Sequence, residues 1–204
     1  PDWLMEKTRA ALAFLENLVE AETGGAPLFG PNDGSQILPL DECAYDDFRG
    51  VVQAGFALLD NQRLYPPGPW DESAFWLTGK NPSELPLREQ IAAERTHAEI
   101  SGYFQWRSGA AKLFLICPTH FQHRPGQADL LHADVWWRGR SIAHDAGTYS
   151  YNAPGVFDGA FSQSAAHNTP MLAGREPLQK AGRFLYLPWP EGSAKWLDDE
   201  KLFH

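Results

Sequence analysis

Between positions 123 and 152 the sequence reads HRPGQADLLHADVWWRGRSIAHDAGTYSYN, which gathers His123, His132 and His144 with Asp129, Asp134 and Asp145 among tryptophans. Imidazoles and carboxylates at this density can move protons or hold a cation, because they are the side chains whose charge and lone pairs are available near neutral pH. Burying them unpaired costs several kcal/mol, so the fold must either pair them or use them. Arg124 adjoins the stretch, and its planar fork suits a bidentate contact with a carboxylate. Tyr149 and Tyr151 stand two apart, which puts both phenols on one face of an extended chain. A second pair, His167 and Asn168, follows in SAAHNT. Asp145 precedes Ala-Gly, so on residue type alone it reads equally as a ligand and as a turn former.

The surrounding elements are of two kinds. Leu4, Ala11, Leu12, Leu15, Leu18 and Val19 recur at helical spacing after Asp2, an N-cap candidate, and Phe48, Val51, Val52, Phe56 and Leu59 repeat the pattern. A shorter helix is expected over 71–78, with Gly79 in the C′ position. The connections ETGGAPLFGPNDGSQILPL and RLYPPGPW are long and rich in Gly and Pro, as loops that form a binding surface often are. Beyond about residue 96, short apolar runs alternate with turn signals. YFQW and KLFLIC form one expected hairpin, ADVWW and SIAHDAG a second, and AGRFLYLPW a further strand. Alternation along the second hairpin assigns Gln127, Asp129, Leu131, Ala133, Val135 and Trp137 to one face and Leu130, His132, Asp134 and Trp136 to the other. The sequence thus predicts helices to about residue 95, then antiparallel sheet with no helix longer than about two turns.

Composition narrows the function classes. With 43% hydrophobic and 21% charged residues the 204-residue chain is globular material. Residues 1–100 carry 17 acidic and 7 basic side chains, and residues 101–204 carry 9 and 10. A net charge of −9 argues against nucleic acid, which binds to clustered Lys and Arg. Cys43 and Cys117 share no CxxC spacing, so neither a zinc ribbon nor a disulfide framework is expected. No apolar run is long enough to span a bilayer. The start at Pro1, without Met, is read as that of a piece cut from a longer protein.

QADLLHADVWWRGRSIAHDAGTYSYN, followed by SAAHNT and GRFLYLPW, resembles the heparinase II/III family of bacterial polysaccharide lyases. NDGSQILPLDECAYDDFR upstream is similar to the closing part of that family's helical toroid. The resemblance implies an α+β, multidomain chain: an incomplete α/α toroid, its C-terminal part in residues 1–95, followed by an antiparallel β-sandwich whose N-terminal part fills 96–204. It implies β-elimination on a uronic-acid-containing polysaccharide, glycosaminoglycan-like or alginate-like, and a periplasmic or secreted location. Such chemistry neutralises the sugar carboxylate, takes the C5 proton with a His or Tyr, and protonates the departing oxygen at C4.

By the same match, Gln127, Asp145 and His167 would hold a divalent metal ion, zinc or calcium, with Asp145 and His167 converging on one ion and the amide oxygen of Gln127 joining them. Where many members have a histidine this chain has Gln127, a neutral oxygen donor poorly suited to zinc. Where members commonly carry a catalytic histidine it has Pro125, which cannot transfer a proton. His123, on the same strand parity, and Tyr149 are then the candidate catalytic groups, with Arg124 and Tyr151 as substrate contacts. Further catalytic residues are expected upstream of Pro1. The alternatives are a sandwich that binds carbohydrate without cleaving it and a degenerate lyase. His120 and His132 read as packed or solvent-facing, and His144 as pointing away from Asp145.

Overall fold

The structure is a computed structural model that describes residues 2–29, 34–90, 93–98, 101–117, 126–150, 152–189 and 192–194. The chain divides into two compact units, one of Pro1–Ala26 with Gly34–Ala93 and one of Pro27–Asp33 with Glu94–His204.

The first unit is helical. Helix α1 spans Asp2–Leu18, α2 Arg49–Asp60 and α3 Asp71–Thr78, and a short 3-10 turn covers Pro82–Glu84. Asp2 lies inside α1 and does not cap it, since the helix begins at that residue. Gly79 does close α3: at φ 69° its N–H returns to Phe75 O at 2.7 Å. Ala54 and Ala57 of α2, Ala74 of α3 and Leu85 form a small-residue core that lets these elements approach closely. Between α1 and α2 the Leu12 side chain lies over Gly55, where a Cβ would stand 2.7 Å from Leu12 Cδ1. Gln53, fully buried, ties the unit together. Its Oε1 accepts the backbone N–H groups of Leu64 and Tyr65, at 2.9 and 3.1 Å, and its Nε2 donates to Asp71 Oδ1 at 2.6 Å.

The second unit is built on a five-stranded antiparallel meander in sequence order: β1 Arg95–Ala98, β2 Tyr103–Ser108, β3 Ala111–Ile116, β4 Ala133–Trp137 and β5 Arg140–Ala143. The turn from β4 to β5 is Arg138-Gly139 at φ 50° and 72°, the double positive φ that a two-residue hairpin needs to match strand twist. Register places Gln105, Phe114 and Asp134 in one cross-strand row and Lys112 beside Trp136 in the next. All five are buried, with the Lys112 ammonium 4.4 Å from the centre of the Trp136 ring. Phe29, from the segment that joins this unit, packs its ring on Tyr103 and Phe114.

Helices among the described residues of this unit are 3-10 turns of three residues each, at Gly155–Phe157, Ala160–Ser162 and Ser164–Ala166. The strand expected over AGRFLYLPW is instead a separate hairpin, β6 Gln179–Gly182 with β7 Leu185–Leu187, because the chain turns at Arg183-Phe184. Tyr186 of β7 packs with Ala128 and Leu178 in a second small core. Both cysteines are free thiols. Among the described residues no helix is long and apolar enough to cross a membrane.

Candidate functional site

Three segments deliver the polar side chains to one place. Residues 126–129 run without regular structure ahead of β4, the chain after β5 turns at Gly147, and the 3-10 turn Ser164–Ala166 leads into His167. Backbone bonds stitch them together. Ala128 N–H donates to Ser162 O at 2.8 Å, the Ser164 hydroxyl donates to Ala128 O at 2.6 Å, and Ala133 N–H donates to Asn168 O at 3.1 Å. The Glu176 carboxylate accepts from the backbone N–H groups of Ser164 and Ala165 and so fixes the turn before His167.

Asp145 sits at the centre, buried. Its Oδ1 accepts Gly147 N–H at 2.6 Å, the bond of a turn former, while Oδ2 accepts His167 Nδ1–H at 2.9 Å. The residue is thus turn former and cluster member at once. His132 Nε2 faces the same Oδ2 from 3.7 Å, and the two imidazoles meet edge to face with centroids 5.7 Å apart. Burial alone would raise the Asp145 carboxyl, but the hydrogen bond and charge of His167 overcome it and hold the group below its ordinary value. For His167 burial again opposes, and the Asp145 carboxylate wins, so its pKa is raised. His132 goes the other way, lowered because burial outweighs the pull of Asp145.

His132, Asp145 and His167 could hold a metal ion, since one ligand atom from each lies within 4.8 Å of the others. The donor set fits a cation. It offers the Asp145 carboxylate, the His167 imidazole and the amide oxygen of Gln127, and among the described residues Gln127 Oε1 and His167 Nε2 are buried polar atoms without a hydrogen-bond partner. Gln127 reaches the cluster through Gly147, whose carbonyl takes its Nε2–H at 3.1 Å, and this leaves Oε1 as the free end of the amide.

The structure places the other expected residues as follows. His123, Arg124, Pro125 and His120, together with Tyr151, lie outside the described residues. Tyr149 is described, but not on a strand. It takes φ 58°, is 72% exposed and leans on Phe157 and Phe161 with centroids at 6.2 and 5.8 Å. The face expected to be shared by Tyr149 and Tyr151 involves Tyr151, outside the described residues; Tyr149 itself has a left-handed backbone and not an extended one. The two-face assignment of Gln127 and His132 is corrected too. Strand β4 begins only at Ala133, and Leu131 at φ 60° reorients the chain just before it, so both side chains reach the Asp145 region. Within β4 the alternation holds, with Asp134 and Trp136 buried and Trp137 exposed. His144 is exposed, its Nδ1 3.2 Å from the Ser141 hydroxyl. Sequence reading missed His132 as a member of the cluster; the signal was its position immediately ahead of the alternating run.

Residues 91–200, more than half of the chain, match the family described as Heparinase II/III-like, C-terminal. The chain belongs to this heparinase II/III-like family. Solved structures with a similar fold include a heparan sulfate lyase, HepC from Pedobacter heparinus, at 15% identity and TM-score 0.54, covering 88% of this chain and 27% of that one. Another is heparinase III, at 14% identity and TM-score 0.57, covering 88% and 29%. The heparinase-like chain thus spans between a quarter and a third of the length of these relatives. Comparison with curated proteins gives no match.

Proposed function

We propose that this chain is part of a polysaccharide lyase that cleaves a uronic-acid-containing polysaccharide by β-elimination, exported to the periplasm or secreted. In this reading residues 1–95 close an α/α toroid and residues 96–204 open the β-sandwich. One observation carries the proposal: the family match falls on the segment whose fold buries Asp145 against His167 and His132. A carboxylate buried between two imidazoles is costly to desolvate, and such clusters concentrate at functional sites.

Gln127, Asp145 and His167 would hold a divalent cation, calcium or zinc. When bound, the ion supplies fixed positive charge that orders the segments after β5 and before His167. The chain's own groups do the rest. Arg124, with Tyr151, would pair with the uronate carboxylate and so make the C5 proton more acidic. His123 or Tyr149 would accept that proton or return one to the C4 oxygen, and the exposure of Tyr149 leaves its hydroxyl open to a polymer.

A second reading, a carbohydrate-binding or degenerate relative without turnover, is favoured by Pro125, which stands where the family's catalytic histidine is expected, and by Gln127, which stands where many members have a histidine. One assay separates the two. The full-length protein is incubated with a panel of acidic polysaccharides, and the ultraviolet absorbance of unsaturated uronate ends is followed. Growth of absorbance with one polymer supports the lyase, and His123→Ala should then cut turnover by about 10² to 10⁴ if His123 moves the proton. Binding without any absorbance change supports the second reading.

A further inference from the structure

Which atoms of the buried cluster offer lone pairs and which offer protons is set by the backbone around them. The Asn168 backbone N–H donates to His132 Nδ1 at 3.2 Å. A backbone amide can only donate, so Nδ1 must be the unprotonated nitrogen, and the neutral ring carries its hydrogen on Nε2. That Nε2 is buried, has no hydrogen-bond partner among the described residues, and faces Asp145 Oδ2 at 3.7 Å. His132 therefore shows the carboxylate an N–H and not a lone pair. Coordination through Nε2 would require moving the proton to Nδ1, directly against the Asn168 N–H.

Gln127 is fixed by the same logic in the opposite sense. Its Nε2–H is spent on the Gly147 carbonyl, so the free pole is the acceptor Oε1. The two side chains thus have opposite free poles, a donor on His132 and an acceptor on Gln127.

We infer that His132 is a positioning residue for Asp145: held in one tautomer by the Asn168 backbone, it aims Nε2–H at Oδ2 and restrains the carboxylate from outside the ligand set. This rests on the ion-site reading proposed above. A shift of about 0.5 Å brings the present separation into hydrogen-bond range, well within side-chain adjustment. Outer partners of this kind tune ion affinity about 10- to 100-fold. The arrangement also explains why a histidine is built into a wall already occupied by His167. Asp145 Oδ1 is engaged by Gly147 and Oδ2 by His167, and a second donor directed at Oδ2 adds a third restraint on the carboxylate.

The test uses the 204-residue chain, ¹⁵N-labelled at histidine, freed of metal and then titrated with calcium alone and with zinc alone. Imidazole ¹⁵N spectra should report the Nε2–H tautomer for His132 both without ion and at saturation. A His132→Gln variant keeps a donor near the position of Nε2, and should hold ion affinity within about threefold of the parent, whereas His132→Leu should lose about 10- to 100-fold. Appearance of the Nδ1–H form on loading, or equal loss in the Gln and Leu variants, overturns the proposal. If His132→Leu does not fold, the parent's spectra still decide. If neither ion binds the parent chain, the ion-site reading fails separately, and the tautomer of the ion-free protein still tells whether His132 offers Asp145 a proton.

Discussion

Asp134 makes the clearest residue-scale case. It is fully buried and accepts a hydrogen bond from Ser141 at 3.1 Å, while among the described residues its Oδ2 has no partner in hydrogen-bond geometry. Burial dominates and pushes its carboxyl up to about 6, against an ordinary 3.8. The folded state therefore keeps a proton that the unfolded chain releases. Stability falls as pH rises from about 4 to 6 and stays reduced above that. Asp134→Asn should raise the unfolding free energy at pH 7 by about 1 to 3 kcal/mol, with no gain below about pH 4, measured by urea denaturation across that range. An unchanged difference between the two proteins at pH 4 and 7 would refute the buried-carboxylate account. At this scale the sequence revealed much of the cluster. Asp145 and His167 were readable because their motifs are local, whereas His132 was assigned by strand parity to the face opposite Gln127. Parity fails there because Leu131 adopts a left-handed backbone, a conformation that residue type does not announce.

Helices α1 to α3 follow their apolar spacing to within a few residues, and β2 to β5 follow theirs. Most of these elements were legible because they bury one face, and burial is what periodicity records, whereas β5, with no buried residue, was marked by the Arg138-Gly139 turn before it. The β6–β7 hairpin was not, since strands of four and three residues carry too little alternation to show where they bend. Long-range polar ties were equally hidden, and Gln53 is the example: nothing in VVQAGF says that the amide will satisfy two backbone donors and a carboxylate. Gln53→Leu leaves the Leu64 and Tyr65 N–H groups buried without acceptors and should cost about 2 to 5 kcal/mol. Gln53→Glu keeps an acceptor for both amides but sets a carboxylate beside Asp71, so it should be destabilised too, and rescued on acidification. Guanidinium unfolding of both variants at pH 7 and 5 checks this; recovery of the Leu variant at pH 5 would be the wrong result.

The halves of the molecule differ in charge as well as in fold, and they should differ in their response to a chelator. If the Asp145 cluster holds an ion, stripping it acts on the β-rich unit alone. Treatment with EDTA should lower the urea midpoint of that unit, and restoring calcium or zinc to about a hundred times its dissociation constant should return about 2.7 kcal/mol. The helical unit, followed through amide exchange around Gln53, should not move. A midpoint indifferent to chelation and to both metals would leave the cluster as a hydrogen-bonded strut.

The meander joins each strand to its sequence neighbour, while the Asp145 cluster draws on positions 132, 145 and 167. Chain closure is entropically cheap for the first and dearer for the second, so the sheet should form early and the cluster late on the folding route. Pulse-labelled hydrogen exchange during refolding should therefore protect the Phe114 amide, inside the sheet, before those of Ala128 and Asn168. Simultaneous protection of all three would mean that the cluster belongs to the nucleus, and that its polar side chains guide the chain from the start.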